Sequence, residues 1–285
     1  MAYIIDGKAL SQKIRLDIKK ETEQLKNQYG KIPGLAVIIA GEDPASKVYV
    51  KNKILACQEA GFFSVHRQFG ADVDAETLIR TIIELNADDN IDGILVQLPL
   101  PKPLDGDAIL PFIDVRKDVD GLSAFQQGLL LQGTPDLISC TPNGVIELIK
   151  SAGKEMSGKN AVVIGRSNMV GKPMAMLLLR ENATVTVCHS KTENLKETVK
   201  NADIVVAAIG KAKFVTADMI KDGAVVIDVG MNSVDGKLCG DVDFENVKEK
   251  ASAITPVPGG VGPMTITMLL KNTLQSFKRK VGASL

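Results

Sequence analysis

The chain has no tryptophan, only 4% aromatic residues, two histidines and four cysteines, and its 34 basic residues are matched by 34 acidic ones. Each scarcity removes a class of function. The cysteines, Cys57, Cys140, Cys188 and Cys239, lie far apart with no CxxC pair. That spacing argues against a disulfide framework or a structural zinc site, and points to reduced thiols in a cytoplasmic protein. His66 and His189 are distant from each other and form no HExxH, so no metal is expected and a metal hydrolase is a poor reading. Zero net charge gives no field to gather nucleic acid or anionic lipid. No apolar run approaches membrane length, and Asp6 and Lys8 interrupt the opening MAYIIDGKAL, which reads as neither a signal peptide nor a span.

What is present is an ordinary globular composition, 45% hydrophobic and 24% charged, in 285 residues, enough for two domains. Helical stretches alternate with short Val/Ile runs, the pattern of an α/β protein with parallel sheets. Helices are expected from about Gly7 to Tyr29, Pro44 to Ala60 and Asp74 to Asn86, with strands at 34–40, 63–69 and 92–98. A second series of βαβ units runs through AVVIG (161–165), a helix from about Val170 to Glu181, and strands at 183–188, 203–209 and 224–230. We expect an N-terminal domain over 1–121, an interdomain segment with little periodicity over 122–140, and a second domain over 141–267. Thr141 to Ser151 reads as a linking helix, and a C-terminal helix (268–285) is expected to pack back on the first domain.

The strand AVVIG enters GRSNMVGKP and then an apolar helix, the context of a dinucleotide-binding turn. Gly165 would permit the tight turn and Gly171 the close packing of helix on strand, leaving helix N–H groups for a pyrophosphate. Ser167 replaces the middle glycine, so a plain βα turn remains an alternative. The next strand ends in CHSKT, without the carboxylate that an NAD site places there. Ser190 and Lys191, with Arg166 in the turn, suit a 2′-phosphate, so NADP is expected rather than NAD, unless the two cations are simply solvated.

In SKVYVKNKILACQEAG a Val50, Ile54, Cys57 stripe is expected to be buried, with Tyr49 and Lys53 adjacent on a neighbouring face. A lysine partly desolvated there would have a lowered pKa and could move protons; an exposed lysine beside a half-buried tyrosine is the plainer reading. Gln97 interrupts the apolar ILVQLPLP, and Asp120 sits in KDVDG before a glycine; a satisfied core amide and a turn-forming aspartate are the simpler accounts. TPVPGGVGPMT (255–265) suits a stiff loop close to a ligand, or only a sharp connection.

Taken in order, YVKNK, DGILVQLPLP, KDVDG, GRSNMVGKP, VIDVG and PVPGGVGPMT resemble the bifunctional methylenetetrahydrofolate dehydrogenase/cyclohydrolase family across almost the whole chain. The resemblance implies two α/β domains flanking a cleft, the C-terminal one a Rossmann-type doubly wound parallel sheet. It also implies NADP-linked oxidation of 5,10-methylenetetrahydrofolate to the methenyl form and hydrolysis to 10-formyltetrahydrofolate, within one-carbon metabolism, by a homodimer joined through the second domain. Carried over, Lys53 is the catalytic lysine, Tyr49 the stacking tyrosine, Gln97 the partner of the lysine and Asp120 the pterin-binding aspartate. Substrate contacts also fall on Leu98, Pro258, Gly259 and Gly260, and cofactor contacts on Gly165, Arg166, Ser167, Gly171 and Ser190. The chain departs from the family in GLSAFQQG after KDVDG, where a Phe-His-Pro-type segment is common, and in Leu55, where a second lysine is frequent. Rival readings are a monofunctional NAD-dependent dehydrogenase of the same family, which Lys53, Gln97 and CHSKT oppose, and a non-catalytic dinucleotide-binding protein.

Overall fold

A computed structural model of the chain describes residues 2–284. In chain order its elements are β1 (Tyr3–Ile4), α1 (Gly7–Tyr29), β2 (Gly34–Ala40), α2 (Pro44–Ala60), β3 (Phe63–Phe69), α3 (Ala75–Ala87), β4 (Gly93–Val96), α4 (Gly106–Ile109), α5 (Ala124–Leu131) and α6 (Cys140–Ser151). There follow β5 (Asn160–Ile164), α7 (Gly171–Arg180), β6 (Thr184–Cys188), α8 (Leu195–Lys200), β7 (Ile204–Ala207), β8 (Val225–Asp228), β9 (Asn232–Val234), β10 (Lys237–Cys239), α9 (Phe244–Val247), β11 (Ala253–Ile254) and α10 (Val261–Val281). Two compact units result. The first comprises Lys13–Cys140 and the chain from Ile266 onward; the second comprises Thr141–Thr265 and the chain up to Gln12.

The first unit is built on a three-stranded parallel sheet, β3-β2-β4. GLAVIIA becomes its central strand because every residue of it is buried, so an unbroken apolar run suits it better than an alternating one. On one side Ile38, Val96, Leu78, Ile82 and Ile109 make a continuous core with the face of α3. The C-terminal helix α10 belongs to this unit from Ile266 on, and its buried Asn272 donates to Val119 O and Ile138 O, both at 2.8 Å.

The second unit carries a six-stranded parallel sheet in the order β1-β11-β8-β7-β5-β6. From β5 the chain steps to one side for β6 and to the other for β7, so the topological switch point lies between β5 and β7, the usual ligand position of a doubly wound sheet. β5, β7 and β8 are nearly all Val, Ile and Ala and are buried but for Asn160, as strands covered on both faces must be.

The structure differs from the sequence-based expectation in several places. The two-residue β1 pairs with β11, which draws the N-terminal segment into the second sheet; two residues carry no periodicity to read. The 122–140 segment holds α5, whose Ser123 cap accepts from Gln126 N; eight residues are too few to establish a helical period. The β9–β10 hairpin is likewise not among the expected elements, although Asp235-Gly236, both at positive φ, is a strong turn signal. Finally α10 starts at Val261, with Pro263 in the first turn, where a missing N–H breaks no helical bond. No helix among the described residues is long and apolar enough to cross a membrane.

Candidate active site

Lys53 sits in α2, which is fixed at both ends. The Asp43 carboxylate accepts from Ser46 N at 2.7 Å, and Gly61, at φ 76, closes the helix by donating to Cys57 O and Gln58 O. The buried stripe is rotated from the one expected. Val50, Lys53, Cys57 and Ala60 are buried, Ile54 is only half-buried, and Lys53 is 7% exposed. A lysine tolerates that position because its ammonium has a partner: Nζ donates to Gln97 Oε1 at 2.9 Å. Gln97 is held in turn, its Nε2 donating to Leu98 O at 2.6 Å and its backbone N to Ile38 O at 2.8 Å. The amide oxygen is thereby committed to the lysine.

The charges around Lys53 oppose one another. Burial lowers its pKa below the ordinary lysine value, while the Asp120 carboxylate, the largest compensating influence, pulls it back up. Burial raises Asp120 above the usual carboxylate range, and the Lys53 ammonium counteracts that rise. Tyr49, one turn before Lys53, also has its pKa raised by burial. The structure thus gathers Tyr49, Lys53, Gln97, Leu98 and Asp120 in the first unit.

KDVDG divides its labour by residue. Lys117 Nζ donates to Leu85 O, Asn86 O and Asp88 O at 2.8–3.1 Å, closing the end of α3. Asp118, 4% exposed, accepts from Gly121 N, Leu122 N and Ser123 N and so shapes the turn. Val119 is core, and Asp120 alone faces the lysine electrostatically. Gly121 is obligatory at φ 67, where a Cβ would lie 2.5 Å from Ser139 N. Behind Asp120, the buried Cys140 thiol donates to Val119 O at 3.3 Å, and its pKa is pushed well above the usual by burial and by Asp120.

In the second unit the Gly-rich turn lies at the switch point. Gly165 has φ 133, and a Cβ on it would lie 2.2 Å from Ala208 O; one on Gly171 would lie 2.3 Å from Gly165 O. Ser167, in place of a middle glycine, accepts from Val170 N and Gly171 N at 3.2 and 3.3 Å and tethers the start of α7. Arg166, Ser167, Ser190 and Lys191 are all exposed. The Ser190 segment is shaped by His189, whose N donates to Thr192 Oγ1 and whose Nδ1 accepts from Lys191 N. Pro258, Gly259 and Gly260 belong to this unit too. Gly259 O accepts from Lys8 N at 3.0 Å, and Gly7 fits only because it lacks a Cβ, which would meet Gly260 O.

Family models divide the chain at nearly the same internal boundary, although the second takes in α10, which belongs to the first unit from Ile266 on. Residues 5–120 match the tetrahydrofolate dehydrogenase/cyclohydrolase catalytic domain, and residues 139–281 match the NAD(P)-binding domain of the same family. The chain belongs to the tetrahydrofolate dehydrogenase/cyclohydrolase family. The bifunctional protein FolD of Dechloromonas aromatica (strain RCB) is 56% identical over 282 residues, covering 99% of each chain. The bifunctional methylenetetrahydrofolate dehydrogenase/cyclohydrolase of Campylobacter jejuni superposes with a TM-score of 0.96 at 46% identity, covering 98% of this chain and 100% of that one. The Trypanosoma brucei enzyme, solved with NADP cofactor and inhibitor, superposes with a TM-score of 0.95 at 42% identity over 99% of each chain.

Lys117, Asp118, Cys140 and Asn272, which hold the KDVDG segment and its neighbours in place, are not among the residues expected from the sequence. KDVDG did carry a signal for Asp118, an aspartate three residues before a turn glycine. A lone cysteine and a helical asparagine carry none.

Proposed function

We infer that this protein oxidises 5,10-methylenetetrahydrofolate to 5,10-methenyltetrahydrofolate with NADP and hydrolyses the product to 10-formyltetrahydrofolate. The observation that carries this reading is the buried Lys53 ammonium held by Gln97 Oε1 at 2.9 Å, in a unit matching the family's catalytic domain.

The second unit fits a dinucleotide: Gly165 and Gly171 leave the backbone bare where side chains would collide, beside the switch point and the start of α7. NADP bound there supplies the two-electron acceptor. Arg166, Ser167 and Ser190 are the residues we assign to its phosphates, Arg166 offering the guanidinium that a 2′-phosphate favours. The absence of an acid in CHSKT supports NADP over the rival NAD-dependent reading.

Oxidation asks little of the protein beyond orientation, because both flanking nitrogens stabilise the cation left on the one-carbon unit. We assign Tyr49 to stacking on the pterin and Asp120 to its polar edge, with Leu98 and the 258–260 loop as further contacts. Hydrolysis needs proton movement. Water adding to the methenyl carbon gives up one proton; collapse of the adduct breaks the C–N5 bond, the hydroxyl proton leaves oxygen and one proton reaches N5, so one proton is released overall. Lys53, with its pKa lowered by burial, holds more neutral amine than an exposed lysine and is the group that takes and returns these protons, oriented by Gln97.

The four cysteines are free thiols, which supports a reducing, cytoplasmic location. The β9–β10 hairpin presents Val234 and Leu238, with Met231 just before it, each about half exposed, which supports a homodimer formed through the second unit.

The test follows NADP⁺ reduction and methenyl-folate together in the purified protein, for wild type and Lys53→Met. Wild type is expected to reduce NADP⁺ and speed methenyl loss, and Lys53→Met to lose about 10²- to 10⁴-fold in hydrolysis, the usual contribution of a general acid–base group. A Lys53→Met enzyme hydrolysing at the wild-type rate would remove the assignment.

A further inference from the structure

Two carboxylates buried in the second unit have no part in the mechanism above. Asp228, at the end of β8, accepts from Gly230 N, Asp241 N and Val242 N, each at 2.9 Å. Asp241 is 0% exposed. Its Oδ2 accepts from Ile209 N at 2.7 Å and Gly210 N at 3.0 Å, and its Oδ1 from Lys211 N at 2.8 Å and Asn232 Nδ2 at 3.0 Å. Even the glycines around the pair are shaped by it. A Cβ on Gly230 would lie 2.3 Å from Asp241 Cγ, and one on Gly240 would lie 1.8 Å from Asp228 Oδ2.

Three successive backbone N–H groups converging on one anion form a nest, the arrangement that elsewhere captures a phosphate. Here the anion is the protein's own side chain, so the 209–211 loop is shaped before any ligand arrives. That loop leaves β7 directly after Ala208, whose carbonyl packs on Gly165. It therefore stands at the carboxyl end of a switch-point strand, beside the Gly-rich turn, where a doubly wound sheet takes its ligand. Through Asn232 the same carboxylate holds the base of the β9–β10 hairpin.

We propose that Asp241 is a positioning residue of the dinucleotide site: it presets the 209–211 loop for the cofactor and ties that loop to the β9–β10 hairpin. This rests on the reading of the second unit as the NADP site. Because hydrolysis of the methenyl compound uses no nucleotide, the two activities report separately on positioning and on fold.

Asp241→Asn puts an amide nitrogen where an oxygen now accepts, leaving at least one loop N–H without a partner. Wild type and variant are compared by calorimetric titration with NADP, by dehydrogenase kinetics, and by hydrolysis of supplied 5,10-methenyltetrahydrofolate without nucleotide. The variant is expected to bind NADP about tenfold or more weakly, with KM for NADP rising more than kcat falls, as loss of a charge-assisted bond implies. Hydrolysis should be retained, because Lys53, Gln97 and Asp120, to which it is assigned, all lie in the first unit. Asn232→Ala, which cuts only the hairpin link, is expected to weaken NADP by about two- to fivefold. NADP affinity unchanged in Asp241→Asn, or NADP affinity and hydrolysis lost in parallel, would overturn the proposal. Should Asp241→Asn not fold, Asn232→Ala decides, and wild-type affinity there overturns it. A wild-type protein that fails to reduce NADP⁺ would instead defeat the functional reading, and the unsubstituted control shows this first.

Discussion

At Lys53, burial and the Asp120 carboxylate pull the same titration in opposite directions. Burial is the larger effect, so the pKa lies below the ordinary lysine value, and Asp120 limits the fall. The sign of a substitution follows. An acid that attracts the ammonium favours its protonated form, so Asp120→Asn removes a force holding the pKa up. The rate of hydrolysis rises with pH as Lys53 loses its proton, and in Asp120→Asn that rising limb is expected to move to lower pH, whatever happens to folate affinity. A pH–rate profile of hydrolysis, with substrate saturating, measures it; a limb that stays in place or moves to higher pH contradicts the electrostatic pairing. YVKNK pointed to Lys53 and Tyr49 as neighbours, and the helix spacing was legible. That Lys53 occupies the buried stripe itself was not, because the strand-end Gln97 that makes burial tolerable lies 44 residues away.

Among the elements, α3 and the Gly-rich turn show where short motifs do structural work. The end of α3 receives three donations from Lys117, which add to the backbone bonds that Asp88 N and Ile91 N make to Leu85 O and Asp88 O and also reach Asn86 O. Lys117→Met keeps the stem and removes the donors, and is expected to destabilise the protein by about 1–3 kcal/mol, as loss of charge-assisted bonds to part-buried carbonyls implies. A thermal or urea melt reads this, and a melt unchanged within error would contradict it. In the turn, Gly171→Ala places a Cβ 2.3 Å from Gly165 O. Backbone must move, so NADP affinity is expected to fall at least about tenfold while nucleotide-free hydrolysis persists; unchanged affinity would show that the turn does not receive the cofactor. Long elements were legible because many residues repeat one period: α1, β2, α2 and β3 have the bounds expected from pattern. Short ones, β1, α5 and β9–β10, were not, since their formation depends on partners distant in sequence.

For the whole molecule, the proposed homodimer has a direct measure. Light scattering with size exclusion should give about twice the 30.4 kDa chain mass, and Leu238→Lys on the exposed hairpin should shift it toward the single-chain value, because a charge cannot be buried in an apolar contact without a partner. A wild-type monomer would exclude the dimer, and a Leu238→Lys dimer would move the interface elsewhere. The sequence by itself determined the alternating α/β architecture and a turn of dinucleotide-binding type, and its motifs, through the resemblance they carry, made NADP the expected cofactor and Tyr49, Lys53, Gln97 and Asp120 the candidate site residues, because periodicity and motif are local properties. The tertiary structure decided which aspartate of KDVDG faces the lysine and which shapes the turn, and that the N-terminal strand completes the second sheet. It also decided that Asp241 gathers three backbone N–H groups from a loop some thirty residues earlier. A buried carboxylate must find donors wherever the fold brings them, and nothing in the local sequence names them.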